Sequence, residues 1–112
     1  MTFSELDAKL TGRNQLSRKV GNNTYAIRND NGSIGIRLHN TQVIVFQTNG
    51  DVVLNSGGWH TVTTKARMNE FLPKPWRVAQ RNYAWYLGNW QTGEIIGYSD
   101  GMVLPAAMLE VR

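Results

Sequence analysis

Hydrophobic and polar positions alternate most regularly between Ser33 and Trp59. Ile34, Ile36 and Leu38 alternate with Ser33, Gly35, Arg37 and His39, the period of two of a strand with one buried face. After Asn40 comes Thr41-Gln42-Val43-Ile44-Val45-Phe46, β-branched and aromatic; its four successive apolar residues predict burial on both faces. Thr48-Asn49-Gly50-Asp51 supplies a tight turn, because Asn-Gly accepts the positive φ angles a hairpin needs. Val52-Val53-Leu54 is a third short strand. Ser56-Gly57-Gly58 then lets the backbone bend before Trp59. Connections this short require antiparallel neighbours, so the stretch is a meander.

The flanks extend this pattern. Thr2 and Glu5 have capping-box spacing, and Phe3, Leu6 and Leu10 fall on one helical face, which predicts a helix over about 3–11 stopped at Thr11-Gly12. Such a short helix needs an apolar surface to lie on, and the meander provides it. Residues 13–24 are polar and carry Arg13, Arg18 and Lys19; a solvated connector is favoured there over a phosphate-contacting loop. Tyr25-Ala26-Ile27-Arg28 is a strand turned by Asn29-Asp30-Asn31-Gly32, making four strands in succession up to Leu54. Thr61 to Leu72 reads as a helix with Thr63 or Thr64 as N-cap and Met68, Phe71 and Leu72 on its apolar face, ended by Pro73 and Pro75. Strands follow at 76–80, 83–87, 94–98 and 102–104, with turns at Arg81-Asn82, 88–93 and Asp100-Gly101. Pro105 opens a tail that can form a terminal helical turn.

Length and composition bound the rest. A chain of 112 residues predicts one domain, 1–112. Its 41% hydrophobic and 18% charged residues fit a globular protein and argue against disorder. No cysteine is present, which excludes disulfides, cysteine-ligated zinc and a thiol nucleophile. No secretory signal or membrane-length apolar run is visible, so a cytoplasmic protein with no membrane partner is expected. The net charge of +4 permits an anionic partner.

The run LHNTQVIVFQTNGDVVLNSGGWHTVTTKARMNEFLP, Leu38 to Pro73, resembles a motif of small proteins encoded by tailed bacteriophages. A Leu-His-Asn-Thr strand, an Asn-Gly or Asp-Gly turn, a Gly-Gly-Trp and a Thr-Thr-Lys helix start share that order there. Tyr-Ser-Asp-Gly-Met at 98–102 fits the same family. The resemblance implies a phage or prophage origin and carries no activity with it. In shape, a helix followed by short, glycine-bent strands is similar to Sm-like and SH3-like small barrels, with the segment from Thr61 onward as an addition. The fold expected is therefore α+β: a mainly antiparallel meander curling toward a small barrel, with an N-terminal and a mid-chain helix.

Candidate chemistry is sparse. His39 and His60 are the only histidines, and neither has a second ligand at metal spacing. His39 falls on the polar phase of a strand. Asp30, Asp51 and Asp100 sit at turns, where Asp bonds its own backbone. Ser56-Gly57-Gly58 lacks the lysine and spacing of a P-loop. No nucleophile, base and orienting group come together, so no enzyme and no cofactor is expected. The aromatic and basic residues of the second half are more informative. Alternation places Tyr83 with Trp85, and Ala84 with Tyr86, so at least one aromatic is expected at the surface. Lys65, Arg67, Lys74, Arg77 and Arg81 lie in the same region as Trp85 and Trp90. Cations that hold phosphates and rings that stack bases make a face for RNA or single-stranded DNA. Against it stands a core filled by Trp76, Trp85 and Trp90. The alternative function is a structural or interaction protein acting as a homo-oligomer, motivated by many strand edges and an aromatic excess.

Overall fold

The computed structural model describes residues 1–11 and 16–109. Arg13 and the Gly12 stop lie outside the described residues, as does the end of the chain from 110.

Helix α1 (Phe3–Lys9) begins as its sequence dictates. The Thr2 hydroxyl accepts from the Glu5 amide at 3.2 Å, relieving one of the amides left free at a helix start. The helix lays Leu6, and just beyond it Leu10, into the core. Five strands follow: β1 (Ser17–Gly21), β2 (Thr24–Arg28), β3 (Ile34–Leu38), β4 (Thr41–Phe46) and β5 (Val52–Leu54). Each pairs antiparallel with the next. Their turns use the residues that tolerate positive φ, with Asn23 at 53°, Gly32 at 88° and Gly50 at 96°. Asn31 and Asn49 bond the amides of Ser33 and Asp51, two residues on.

Beyond Trp59, helix α2 (Val62–Phe71) buries Thr64, Met68 and Phe71. Strands β6 (Trp76–Arg81), β7 (Ala84–Asn89) and β8 (Ile95–Gly97) form a separate three-stranded antiparallel sheet. Strand β9 (Met102–Leu104) returns to pair with β5, giving the larger sheet the order β1-β2-β3-β4-β5-β9. The described pairings form two sheets, and none joins β1 to β9 into a ring. The short α3 (Ala106–Leu109) is docked by the Ala106 amide on the Asp51 carboxylate, 2.8 Å.

One core joins the parts. The inner faces of β3 and β4 supply Ile34, Ile36, Ile44 and Phe46; α1 and α2 supply Leu6, Leu10, Met68 and Phe71; the small sheet supplies Val78, Trp85 and Leu87. Antiparallel α+β architecture and the meander of residues 25–54 are thus as expected. Val43 and Ile44 are both buried, as their run implied. A bulge at Val43 of β4, opposite the step from Ile36 to Arg37 on β3, shifts the register so that Arg37 faces Gln42.

Four expectations are corrected. The polar connector holds strand β1, carrying Arg18 and Lys19, so five strands run up to Leu54. The cap of α2 is Thr61, whose hydroxyl accepts from the Thr64 amide at 3.1 Å; Thr64 is itself a buried helical residue. Asn82 and Tyr83 both have positive φ, 51° and 66°, so Tyr83 belongs to the β6–β7 turn and not to a strand face shared with Trp85. His39, at φ 54°, occupies the β3–β4 turn with Asn40 and is not a strand residue.

Candidate nucleic-acid interface

Folding disperses the basic and aromatic residues of the second half. Trp85 points inward from β7 and is 6% exposed; Trp76 is 4% exposed, its indole N–H 3.3 Å from the Met108 carbonyl. Both serve the core, and Trp85 offers no free ring. Trp90, in the β7–β8 loop, is 65% exposed. Arg67 is a strut: its Nε donates to the buried Thr24 hydroxyl of β2 at 2.9 Å, and its Nη1 pairs with Glu70 at 3.1 Å. Lys65 reaches the Gln80 side chain at 3.4 Å. Lys74 is exposed between α2 and β6.

Arg77 and Arg81 remain, and the sheet register shows what surrounds them. On β6, Trp76 and Val78 face inward, so Arg77, Ala79 and Arg81 face outward. Opposite them on β7 stand Gly88, Tyr86 and Ala84; opposite those on β8 stand Ile95, across from Gly88, and Gly97, across from Tyr86. The outer face of the small sheet is therefore nearly bare of bulk around Tyr86. A Cβ at position 88 would lie 3.4 Å from the Tyr86 ring, and one at 97 would meet nothing within 4 Å. Tyr86, half-buried with its ring leaning over Gly88, thus lies on a flat surface between two arginines. Tyr83, 95% exposed, stands at the Arg81 end, and Trp90 follows Asn89 at the Arg77 end. Ile95, 62% exposed, completes the face, and the exposed Glu94 precedes it in the chain. At ~3.4 Å per residue the six positions of β6 span about 20 Å. Chemically the face can stack flat rings and hold anions.

The opposite edge of β6 is covered from within. The Asn69 amide of α2 accepts from the Val78 N–H at 2.7 Å and donates to the Val78 carbonyl at 2.8 Å. One side chain thereby imitates a strand partner and blunts an exposed edge.

A second constellation lies behind the small sheet. His60 stacks on Trp85 with ring centres 4.4 Å apart, and Tyr98 meets the Trp85 ring edge-on at 5.3 Å. The Tyr98 hydroxyl donates to Asp100 at 2.6 Å. Burial, then this bond and the neighbouring carboxylate charge, push the Tyr98 phenol well above its ordinary range. Burial would raise the Asp100 carboxyl, but hydrogen bonds from Tyr98 and from the Ser56 amide and hydroxyl, with His60 nearby, outweigh it and hold it below the usual range. Asp100 therefore reaches beyond its own turn. Among the described residues no three His, Asp or Glu side chains are placed to hold a metal ion, and no helix is long and apolar enough to cross a membrane.

Sequence reasoning picked out Arg77, Arg81 and Trp90 and put Tyr86 on the face opposite Trp85, but did not single Tyr86 out. The alternation of Trp85, Tyr86, Leu87 and Gly88 carried that signal. The parts played by Gly97 and Asn69 depend on register and tertiary contact.

Among curated proteins and solved structures, none matches the chain. The family model described as Kyanoviridae Gp96 protein matches residues 5–105. This agrees with the tailed-phage resemblance of the Leu38–Pro73 motif, and the chain belongs to the Kyanoviridae Gp96 protein family.

Proposed function

We propose that this phage protein is a non-enzymatic module that binds single-stranded nucleic acid on the outer face of β6–β8. The observation that carries this reading is the half-buried Tyr86, with only glycines at 88 and 97 beside it on the outer face and flanked by Arg77 and Arg81. Base stacking on an aromatic ring contributes about 1–3 kcal/mol per base and tolerates any sequence. The arginines supply the phosphate contacts, with Tyr83 and Trp90 extending the stacking surface at either end. Lys65, bonded to Gln80 on the inward phase of β6, lies behind this face; Arg67, Lys74 and Trp85 take no part.

Polarisation of a labelled oligonucleotide tests this. Tyr86→Ala weakens binding by roughly tenfold or more. Replacing Arg77 and Arg81 together by Gln lowers the slope of log K against log salt by about 1.4, as two released single-strand phosphate contacts require. No binding at low salt would remove the reading.

One observation favours a second reading, self-association. The outward positions of the large sheet include Ile27, Val45, Val53 and Val103, where a solvated antiparallel face ordinarily alternates to polar residues. Lys19 and Arg37 lie toward its β1 end, away from Val53 and Val103. A two-fold packing of the β5–β9 ends of two copies buries the valines while keeping the cations apart. Sedimentation of the wild type against Val103→Lys separates a dimer from a monomer.

A further inference from the structure

The groove between the β3–β4 turn and the start of α2 is used by neither reading. It encloses about 450 Å³, within the range of small-molecule sites. Its floor is apolar, made by Leu38 and Val43. Its wall is Trp59, whose ring is 67% exposed. Hydrogen bonds fix that residue on both sides: the Trp59 amide donates to the Ser56 carbonyl at 3.1 Å, and the Thr61 amide donates to the Trp59 carbonyl at 2.9 Å. Ser56 is in turn tied to Asp100. Gly57 lies so close to β4 that a Cβ there would sit 2.5 Å from the Thr41 hydroxyl. An indole placed in solvent by a backbone this well anchored is a surface kept for a ring.

The rim specifies the ring. Around the groove stand the Asn40 amide, the His39 imidazole and threonine hydroxyls, and the lining holds no carboxylate, lysine or arginine. A neutral ligand with one flat apolar face and a donor–acceptor edge matches it. Asn presents a donor and an acceptor side by side, the pair that reads adenine.

We infer that the groove beside Trp59 takes an adenine base, stacked on the indole and read at its edge by Asn40. The base comes as a free nucleoside or as part of a strand. The latter rests on the nucleic-acid reading: Lys65 follows the groove-lining Thr64 on α2, so a strand with a base in the groove meets that cation next.

Calorimetric titration with adenosine, cytidine and glucose, and with oligo(dA) and oligo(dT) of equal length, tests the inference. Adenosine binds, cytidine binds at least ~10-fold more weakly, and glucose does not bind. Trp59→Ala and Asn40→Ala each weaken adenosine by roughly tenfold, while an unchanged circular dichroism spectrum and melting midpoint show both variants folded. Oligo(dA) binds ~10-fold more tightly than oligo(dT), and Trp59→Ala removes the difference. Adenosine binding with no oligonucleotide bound supports the groove and sinks the sheet reading. Absent adenosine binding, binding untouched by Trp59→Ala, or binding of glucose instead overturns the inference. Oligo(dT) binding that depends on Tyr86 then leaves the sheet reading standing.

Discussion

Ser56 and Asp100, 44 positions apart, are joined through both backbone and side chain: the Ser56 amide lies 2.9 Å from Oδ1, and its hydroxyl 2.8 and 3.0 Å from the two carboxylate oxygens. Ser56 is 1% exposed. The pair links the bend before Trp59 to the turn before β9, and so joins the two sequence motifs, Ser-Gly-Gly-Trp and Tyr-Ser-Asp-Gly, that mark the family resemblance. The Ser56 hydroxyl also accepts from the Gly58 amide at 3.1 Å, which sets the path of the chain into Trp59.

Ser56→Ala removes a hydrogen bond to a charged group and leaves the Gly58 amide without its acceptor. The unfolding free energy falls by about 1.5–3 kcal/mol, read from urea denaturation. Asp100→Asn keeps an acceptor for Ser56 but loses the charge, and its loss is smaller. Equal stability of Ser56→Ala and wild type would show that the link is incidental.

Acid and alkali both weaken the same cluster, through opposite changes in protonation. The folded chain holds Asp100 ionised more readily than the unfolded chain does, so this stabilisation is present at neutral pH and is lost as pH falls below about 4. Tyr98 keeps its proton in the folded state where the unfolded chain gives it up, so stability falls as pH rises above about 10. Tyr98→Phe has a flatter alkaline limb than wild type in denaturation midpoints measured from pH 8 to 11. Parallel limbs would contradict the assignment.

Asn69→Ala uncovers the β6 edge. Val78 loses both backbone partners, and stability falls by about 1–3 kcal/mol. The freed edge also pairs between molecules, so light scattering records larger species at concentrations where the wild type does not associate. An unchanged denaturation midpoint with no added association counts against the capping role.

The features legible in the sequence are those written in neighbouring residues. The Thr2–Glu5 cap, the Asn-Gly turns and the alternation of Ile34, Ile36 and Leu38 each declare themselves within a few positions. Strand β1 does not, because Ser17, Arg18 and Lys19 are all exposed: an edge strand with three successive solvated positions and only Val20 turned to the core shows no period of two. Tyr83 reads as a strand residue because tyrosine favours strands, yet two successive positive φ angles place it in the turn. The candidate site was legible as a composition and not as a surface. Arg67 is drawn away by Thr24, Trp85 is covered by His60, and Tyr86 stands across from Gly97, a partner set by register across the intervening loop.

The flatness of the small sheet around Tyr86 can be removed without disturbing the fold. A side chain at position 97 meets open space, and valine suits a strand, so Gly97→Val folds with wild-type stability while raising a branched side chain on the flat face across from Tyr86, in the way of a stacking base. Oligonucleotide affinity measured by fluorescence polarisation at fixed low salt is predicted to fall at least ~10-fold in Gly97→Val, the loss of one stacked base. Affinity equal to wild type in a folded Gly97→Val protein would contradict the assignment of nucleic-acid binding to this face.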